Sequence, residues 1–553
     1  MPYNIKMQWI SSLEKVFPVK ELILNTVNSA SALRGEVYSM QLAYCADTVL
    51  DPLKIEVVSP LRDFISVRQT IAMPAEYFGE SRDEYTPECL PGLYPDLLTD
   101  YSTFRSMRAV WHSLWITVRI PQDFPAGKVP IQLNICHRKN YWPDRDLDLA
   151  SPVFTLDVLP EVLPEHNMKV TEWFHADCLC DYYNIEPWSE EFFAVLENYL
   201  INMRSHGINM LYTPLVTPPL DTMRGLERPT FQSVDITLDE HGKWSFDFSN
   251  LKKFIMLAEK CGMKYIEFSH LFSQWGAEFA PKVMVRSYKN QMAEKYFHWH
   301  TASDSAEYLE FLKALLTELN KFLHEHNYFD RSYFHISDEP NTNSLERYKV
   351  FAELFHECLP GGKFIDALSH PEFYSSGAVQ IPIPAINHFD KFKDFDVPEC
   401  WTYYCVSQWD KVTNQFAHFP AARCRIFGLL AYCHGIEGFL HWGYNFWFGQ
   451  LSTFKIDPYR DICSGRGFPP GDAFKVYPGK GGKPEDSIRH EVFFEALQDF
   501  AALHLLEKKL SRSKVLEIIS TACDGKLPTM TEYPRSAEWL LKFRQQINSL
   551  IAE

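Results

Sequence analysis

Hydrophobic and polar positions follow two different rules along the chain. Over 20–160, short runs alternate apolar and polar residues, at 36–44, 54–58, 113–120, 129–135 and 152–159, and Pro, Gly and Asp separate them. Successive side chains of a strand point to opposite faces, so this alternation buries one face of each run. The runs are rich in β-branched and aromatic residues and no long amphipathic helix lies between them, which predicts an antiparallel β-sandwich. The stretch 73–108 breaks the rhythm. With Tyr77, Tyr85, Pro87, Pro91 and Pro95 it predicts a long structured loop that reaches over the neighbouring domain. Pro160 and Pro164 stiffen a linker at the domain boundary.

Past Pro164 short apolar runs alternate with long helical patterns. Eight runs stand at 169–175, 208–213, 263–269, 332–337, 363–368, 380–386, 400–405 and 436–442, and helical stretches lie between them at 190–206, 248–261, 306–325, 344–358 and 421–433. In the last two, apolar residues recur every three or four positions. Eight such units predict an α/β fold built on a (β/α)8 TIM-type barrel. The sixth run fits least well because Pro382 and Pro384 interrupt it. The expected organisation is a sandwich over 1–163, a barrel over 164–510 and short C-terminal helices over 511–553. The stretch 448–483, with its glycines and prolines, predicts a long loop at the active face.

Composition narrows the function. In 553 residues, 46% are hydrophobic and 15% aromatic, enough for a large core. With 54 Lys+Arg against 71 Asp+Glu, the net charge of −17 disfavours nucleic acid and anionic membranes. No apolar stretch is long enough to span a bilayer, and the first residues have no signal-peptide core, which predicts a cytoplasmic protein. The 13 cysteines are scattered, as reduced thiols are, and offer no paired spacing for zinc. No phosphate-loop or dinucleotide motif is present. The expected partner is neutral, with no cofactor and no metal; self-association remains compatible with the sequence.

Candidate chemistry gathers where the runs end. Phe334-His335-Ile336-Ser337-Asp338-Glu339-Pro340 places two adjacent carboxylates at the end of the fourth run, on the face where barrels build their sites. The proline is expected to hold Glu339 extended. The bland alternative for the pair is a solvated acidic turn or a helix cap. Trp173, His175 and Asp177 follow the first run, His270 and Trp275 the third, Tyr404 the seventh, and Trp442, Tyr444 and Trp447 the eighth. Flat aromatics beside acids suit a pyranose, which offers an apolar C–H face and a rim of hydroxyls. His175 and His270 fit hydroxyl donors better than metal ligands. His335, inside its run, fits a satisfied core residue, and His298-Trp299-His300 is a weak metal candidate.

The stretch 426–447, with Gly435-Ile436-Glu437-Gly438-Phe439-Leu440-His441-Trp442-Gly443-Tyr444-Asn445-Phe446-Trp447, resembles the carboxyl-terminal barrel region of glycoside hydrolase family 123 and of the related domain of unknown function 4091. Gly471-Asp472, Val476-Tyr477-Pro478-Gly479, Ser487-Ile488-Arg489-His490-Glu491 and Ser337-Asp338-Glu339-Pro340 extend the likeness over roughly 170–506. The resemblance implies a retaining β-N-acetylgalactosaminidase, or broader β-N-acetylhexosaminidase, working with substrate assistance; the lack of the secretion signal and extra carbohydrate-binding modules that some family members carry favours a small oligosaccharide or glycoside as substrate. It implies Glu339 as general acid and base, and Asp338 as the ionised group that holds the acetamide and stabilises an oxazolinium-like cation. It also implies Tyr404 on the acetamide carbonyl, Trp442 and Trp447 as pocket walls, and Tyr444 and Asp472 on hydroxyls. Adjacent carboxyls fit the substrate-assisted exception better than the two-carboxylate rule, in which the acids sit ~5–5.5 Å apart. The competing expectations are a two-carboxylate glycosidase, with Asp177, Glu267 or Glu437 as nucleophile, and a barrel that binds sugar without cleaving it.

Overall fold

Alternation produces the amino-terminal unit as expected. Along Gly127–His137, Val129, Ile131, Leu133 and Ile135 all face inward and are buried, while the residues between them are not fully covered. A computed structural model describes residues 4–18, 26–86, 89–100, 104–137 and 147–553. One sheet runs Ile5–Ser11, Val37–Ala46, Trp111–Arg119, Ile65–Ala75, Gly92–Thr99, and the other Ser29–Arg34, Phe154–Val162, Gly127–His137, Leu50–Val58, Phe104–Ser106. Every described pairing in them is antiparallel except that of Ser29–Arg34 with Phe154–Val162.

The stretch 73–108 differs from the expected loop. Gly92–Thr99 folds back on Ile65–Ala75 as a regular strand, and Pro95 is accommodated at the register shift where it faces Ala72. A bulge is one of the few places a strand tolerates proline. Pro87 lies outside the described residues. The stretch does reach the barrel. Buried Asp96 accepts Arg489 Nε at 2.8 Å and the Tyr477 hydroxyl at 2.6 Å, and Asp83 pairs with Arg423 at 2.7 Å.

All eight predicted runs become parallel strands of one sheet: Lys169–Glu172, Met210–Thr213, Tyr265–Phe268, Ser332–His335, Lys363–Leu368, Ile381–Pro384, Trp401–Tyr403 and Gly438–His441. The eighth pairs with the first, so the ring is nearly closed. The weak joint is between the sixth and seventh strands, which share a single bridge, Ala385 to Tyr403. Proline explains it. Ala385 N–H donates to Leu368 of the fifth strand, so by alternation Ile381 and Ile383 also face that strand. Pro382 and Pro384 therefore face the seventh strand, to which they have no N–H to give.

The helices depart from the full (β/α)8 expectation. Glu190–Ser205, Ser249–Lys260, Ala306–Glu325, Leu345–Cys358 and Phe427–His434 cover the barrel, and Ile488–Leu510 closes it. Only the short helix Glu372–Ser375 follows the fifth strand, and the 3-10 segment Ile386–Phe392 follows the sixth. Pro371 and Gly377 bracket the first of these, leaving no room for a longer helix. The terminal helix Ala537–Ala552 ties the two units together: Arg544 reaches Asp499 at 2.6 Å and Glu36 at 2.8 Å. Among the described residues no helix is long and apolar enough to cross a membrane.

Close packing inside the barrel makes one position testable. A Cβ on Gly438 would lie 2.0 Å from Trp401 Cδ2, inside a ring that is itself buried. Gly438→Ala should therefore cost at least about 1–3 kcal/mol, the usual range for overpacking. Urea denaturation checks this; an unchanged midpoint would show that the Trp401 ring can yield.

Candidate active site

The fourth strand ends at His335, and the chain then turns where its acids begin. Ser337 N–H is held by Asp366 at 3.0 Å. Glu339 has φ +45°, in the left-handed region rather than the extended one expected before proline. Such a residue is strained, by about 1–3 kcal/mol. The turn breaks strand alternation, so Asp338 and Glu339 line the same pocket instead of opposite faces. Two other wall residues, Asp221 and Trp275, also have positive φ, at 39° and 61°.

The pocket encloses about 580 Å³ including its open mouth. Trp173, Trp275, Trp442, Phe468, Leu220 and Leu440 give it apolar walls, and Asp338, Glu339, Asp221, Gln274 and Tyr403 supply the polar groups. Trp275 is 47% exposed and forms the rim, while Trp173 is buried at the base. Trp173 Nε1 donates to Glu267 at 2.7 Å, and His335 contacts the same oxygen at 2.6 Å. The base is thus fixed by a buried polar network.

Electrostatics favour holding a proton here. Burial pushes Asp338 up to about 8; the Glu339 charge and Asp366 add to the rise, and a hydrogen bond from Gln274 opposes it. Burial also raises Glu339, against hydrogen bonds from Tyr403 and Trp275. Tyr403 hydroxyl donates to Glu339 Oε1 at 2.6 Å. Asp338, expected to be ionised, is therefore drawn toward its protonated form. Burial pushes Asp221 up to about 6.

Of the candidates named from sequence, the pocket gathers Asp338, Glu339, Trp275 and Trp442. Asp472 stands behind Trp442 and accepts its indole N–H at 2.9 Å, so it orients the wall instead of facing the cavity. His175 is fully engaged with Trp442 O at 2.9 Å and Arg228 at 3.2 Å, and burial holds it well below its usual range. Asp177 forms a two-pronged pair with the same buried Arg228, at 2.8 and 2.6 Å. A buried guanidinium needs that counter-charge, which takes both residues away from substrate. His270 lies behind Trp173, ring centres 6.2 Å apart, fully buried and with both ring nitrogens unpaired.

Tyr404 lies outside the pocket, packed on Phe439 with ring centres 4.8 Å apart, and Tyr403 faces the cavity in its place. A register error of one residue exchanges the two faces of a strand. Tyr444 donates to Asn202 at 2.8 Å and Trp447 to Val476 O at 3.3 Å, both behind the wall. Sequence reasoning missed Gln274, Asp221, Leu220 and Phe468. Gln274 had a signal, since it adjoins Trp275 after the third strand; Asp221 and Phe468 lie in loops whose course no periodicity predicts.

His206, Asp486 and His490 are the one group of potential metal ligands among the described residues, away from this pocket. Arg68 already pairs with Asp486 and Glu491 there, so a guanidinium fills the place of a cation. His298 and His300 stand with ring centres 4.8 Å apart in a loop.

A parallel barrel with two acids and several tryptophans at the carboxyl ends of its strands is an arrangement suited to a glycosidase. The model of the glycoside hydrolase 123 catalytic domain matches residues 173–506, and the chain belongs to glycoside hydrolase family 123. A solved family 123 glycoside hydrolase from Clostridium perfringens, described for glycolipid glycan hydrolysis, shares the fold. The match has a TM-score of 0.75 at 15% identity and covers 99% of this chain and 97% of that one. A family 5 mannosidase from Rhizomucor miehei is more distant, with a TM-score of 0.34 at 12% identity over 63% of this chain and 94% of its own. No curated protein matches the chain in sequence.

Proposed function

We propose that the protein is a retaining β-N-acetylhexosaminidase that uses the acetamide of its substrate as the nucleophile. The observation that carries this is the side-by-side placement of Asp338 and Glu339 in one aromatic pocket, with both proton affinities raised. Glu339 protonates the departing glycosidic oxygen and later activates water. Asp338 receives the acetamide N–H and steadies the cation formed when the acetamide oxygen attacks C1. Meeting that N–H and that charge draws Asp338 toward its ionised form, which leaves the proton of the pair to Glu339. The acids suggested from sequence as alternative nucleophiles stand elsewhere: Asp177 is paired with Arg228, Glu267 lies beneath Trp173, and Glu437 holds the Cys400 N–H just before the eighth strand.

The substrate class is a glycan or glycoside with a terminal β-linked N-acetylhexosamine, N-acetylgalactosamine first among them. The glycolipid glycans named for the C. perfringens enzyme are the first natural substrates to test. One observation favours a second reading: Asp221 is a third carboxyl on the pocket wall, available to a two-carboxylate mechanism. Paired nitrophenyl glycosides separate the two. Under the proposal, the 2-acetamido sugar is cleaved at least about 100-fold faster than its 2-hydroxyl counterpart, since removing the acetamide removes the nucleophile. Asp221→Asn should retain hydrolysis; equal cleavage of both sugars, abolished by Asp221→Asn, establishes the second reading instead.

A further inference from the structure

The geometry points to Gln274 as a positioning residue that holds Asp338 in its working orientation as an anion and ties it to the far side of the pocket. This rests on the substrate-assisted reading above. A glutamine amide has one accepting and one donating end. Here the oxygen is claimed by the backbone N–H of Asp221, a group that can only donate. The amide orientation is thereby forced, and the NH2 must face Asp338 Oδ2. An N–H directed at a carboxyl oxygen is stronger when that oxygen carries charge, so the bond favours ionised Asp338.

The other end of the bridge is anchored. Asp221 Oδ2 accepts Leu451 N–H at 2.7 Å, Ser452 hydroxyl donates to Asp221 O at 2.6 Å, and Met223 N–H donates to Leu451 O at 2.9 Å. Gln274 therefore connects the acid at the end of the fourth strand to loops following the second and eighth strands. Asp338 faces Glu339, Asp366 and His335 as its charged neighbours. His335 contributes positive charge but is itself committed to Glu267. Gln274 thus supplies the side-chain N–H that meets Asp338 directly.

Gln274→Met keeps the length and removes the amide. It should lower kcat about 10- to 100-fold, with KM changed far less, and shift the alkaline limb of the kcat/KM profile, which reports the free enzyme, up by about one unit, equivalent to a tenfold change in proton binding. The loss should be the same for dinitrophenyl and alkyl N-acetylhexosaminides, because Asp338 acts in attack by the acetamide and not in protonation of the leaving group. Gln274→Glu retains the acceptor for Asp221 but can donate to Asp338 only when protonated, so its activity should recover as pH falls. Unshifted profiles in both variants, or a loss confined to poor leaving groups, overturn the assignment, whatever glycoside the wild type cleaves. A wild type that cleaves the 2-hydroxyl glycoside equally well counts against the parent reading, not against the Gln274 bridge.

Discussion

Glu339→Gln is expected to lower kcat/KM about 10²–10⁴-fold on an N-acetylhexosaminide with a poor leaving group, the usual worth of general acid–base catalysis. The substituted amide is nearly isosteric and its oxygen can still accept the Tyr403 hydroxyl now 2.6 Å from Glu339, so the pocket should keep its shape. What is lost is a transferable proton. The first step should therefore be restored largely by an activated leaving group such as dinitrophenolate, which departs without protonation. The comparison of alkyl and dinitrophenyl substrates is the measurement. Retention of wild-type rates on the alkyl glycoside would remove Glu339 from the acid role, and with it the ordered division of labour between the two carboxyls.

Asp338→Asn should have effects of opposite sign on activity and stability. Losing the charge that meets the developing cation should cost about 10²–10³-fold in kcat, by analogy with other preorganised electrostatic groups. The same change should raise the melting temperature. Burial raises Asp338 to about 8 in the folded protein, whereas an unfolded aspartate titrates near 3.9. Below the unfolded value both states are protonated and the burial of the carboxyl carries no ionisation penalty. As pH rises toward 8 the unfolded chain gains by releasing the proton and the folded chain does not, so wild-type stability declines. Asparagine removes that linkage. The stabilisation by Asp338→Asn should thus be small near pH 4 and grow toward pH 8, a pattern that thermal melts at several pH values will show or refute. The wild-type rate should fall above about pH 8, where the folded pair gives up the one proton that catalysis needs.

These opposed effects fit the cost of building a reactive site into a packed barrel. The left-handed Glu339, Asp221 and Trp275 add local strain on the same wall. The units are joined elsewhere: Asp96 with Arg489, Arg425 with Glu495 and Asp499, and Arg544 with Asp499 and Glu36 link sandwich, barrel and terminal helix through buried, multiply bonded pairs. Removing one member of such a pair leaves an uncompensated buried charge, which makes the junction between the two units rigid in composition as well as geometry.

Periodicity alone determined that a sandwich precedes a barrel, and the eight apolar runs became its eight strands. The order of those runs also placed Asp338 and Glu339 at the carboxyl end of the fourth. What periodicity could not determine was direction at the end of a strand. Tyr403 instead of Tyr404 faces the cavity, and a left-handed Glu339 turns inward, because both depend on register and local backbone torsions set by neighbouring strands. Nor could it show that Arg228 would claim His175 and Asp177, or that Gln274 would span from Asp338 to Asp221. Such partners lie tens of residues apart and meet only when the barrel closes. Burial along an element is written in its own residues; the use of a polar group is decided by which unmatched donor or charge the fold brings beside it.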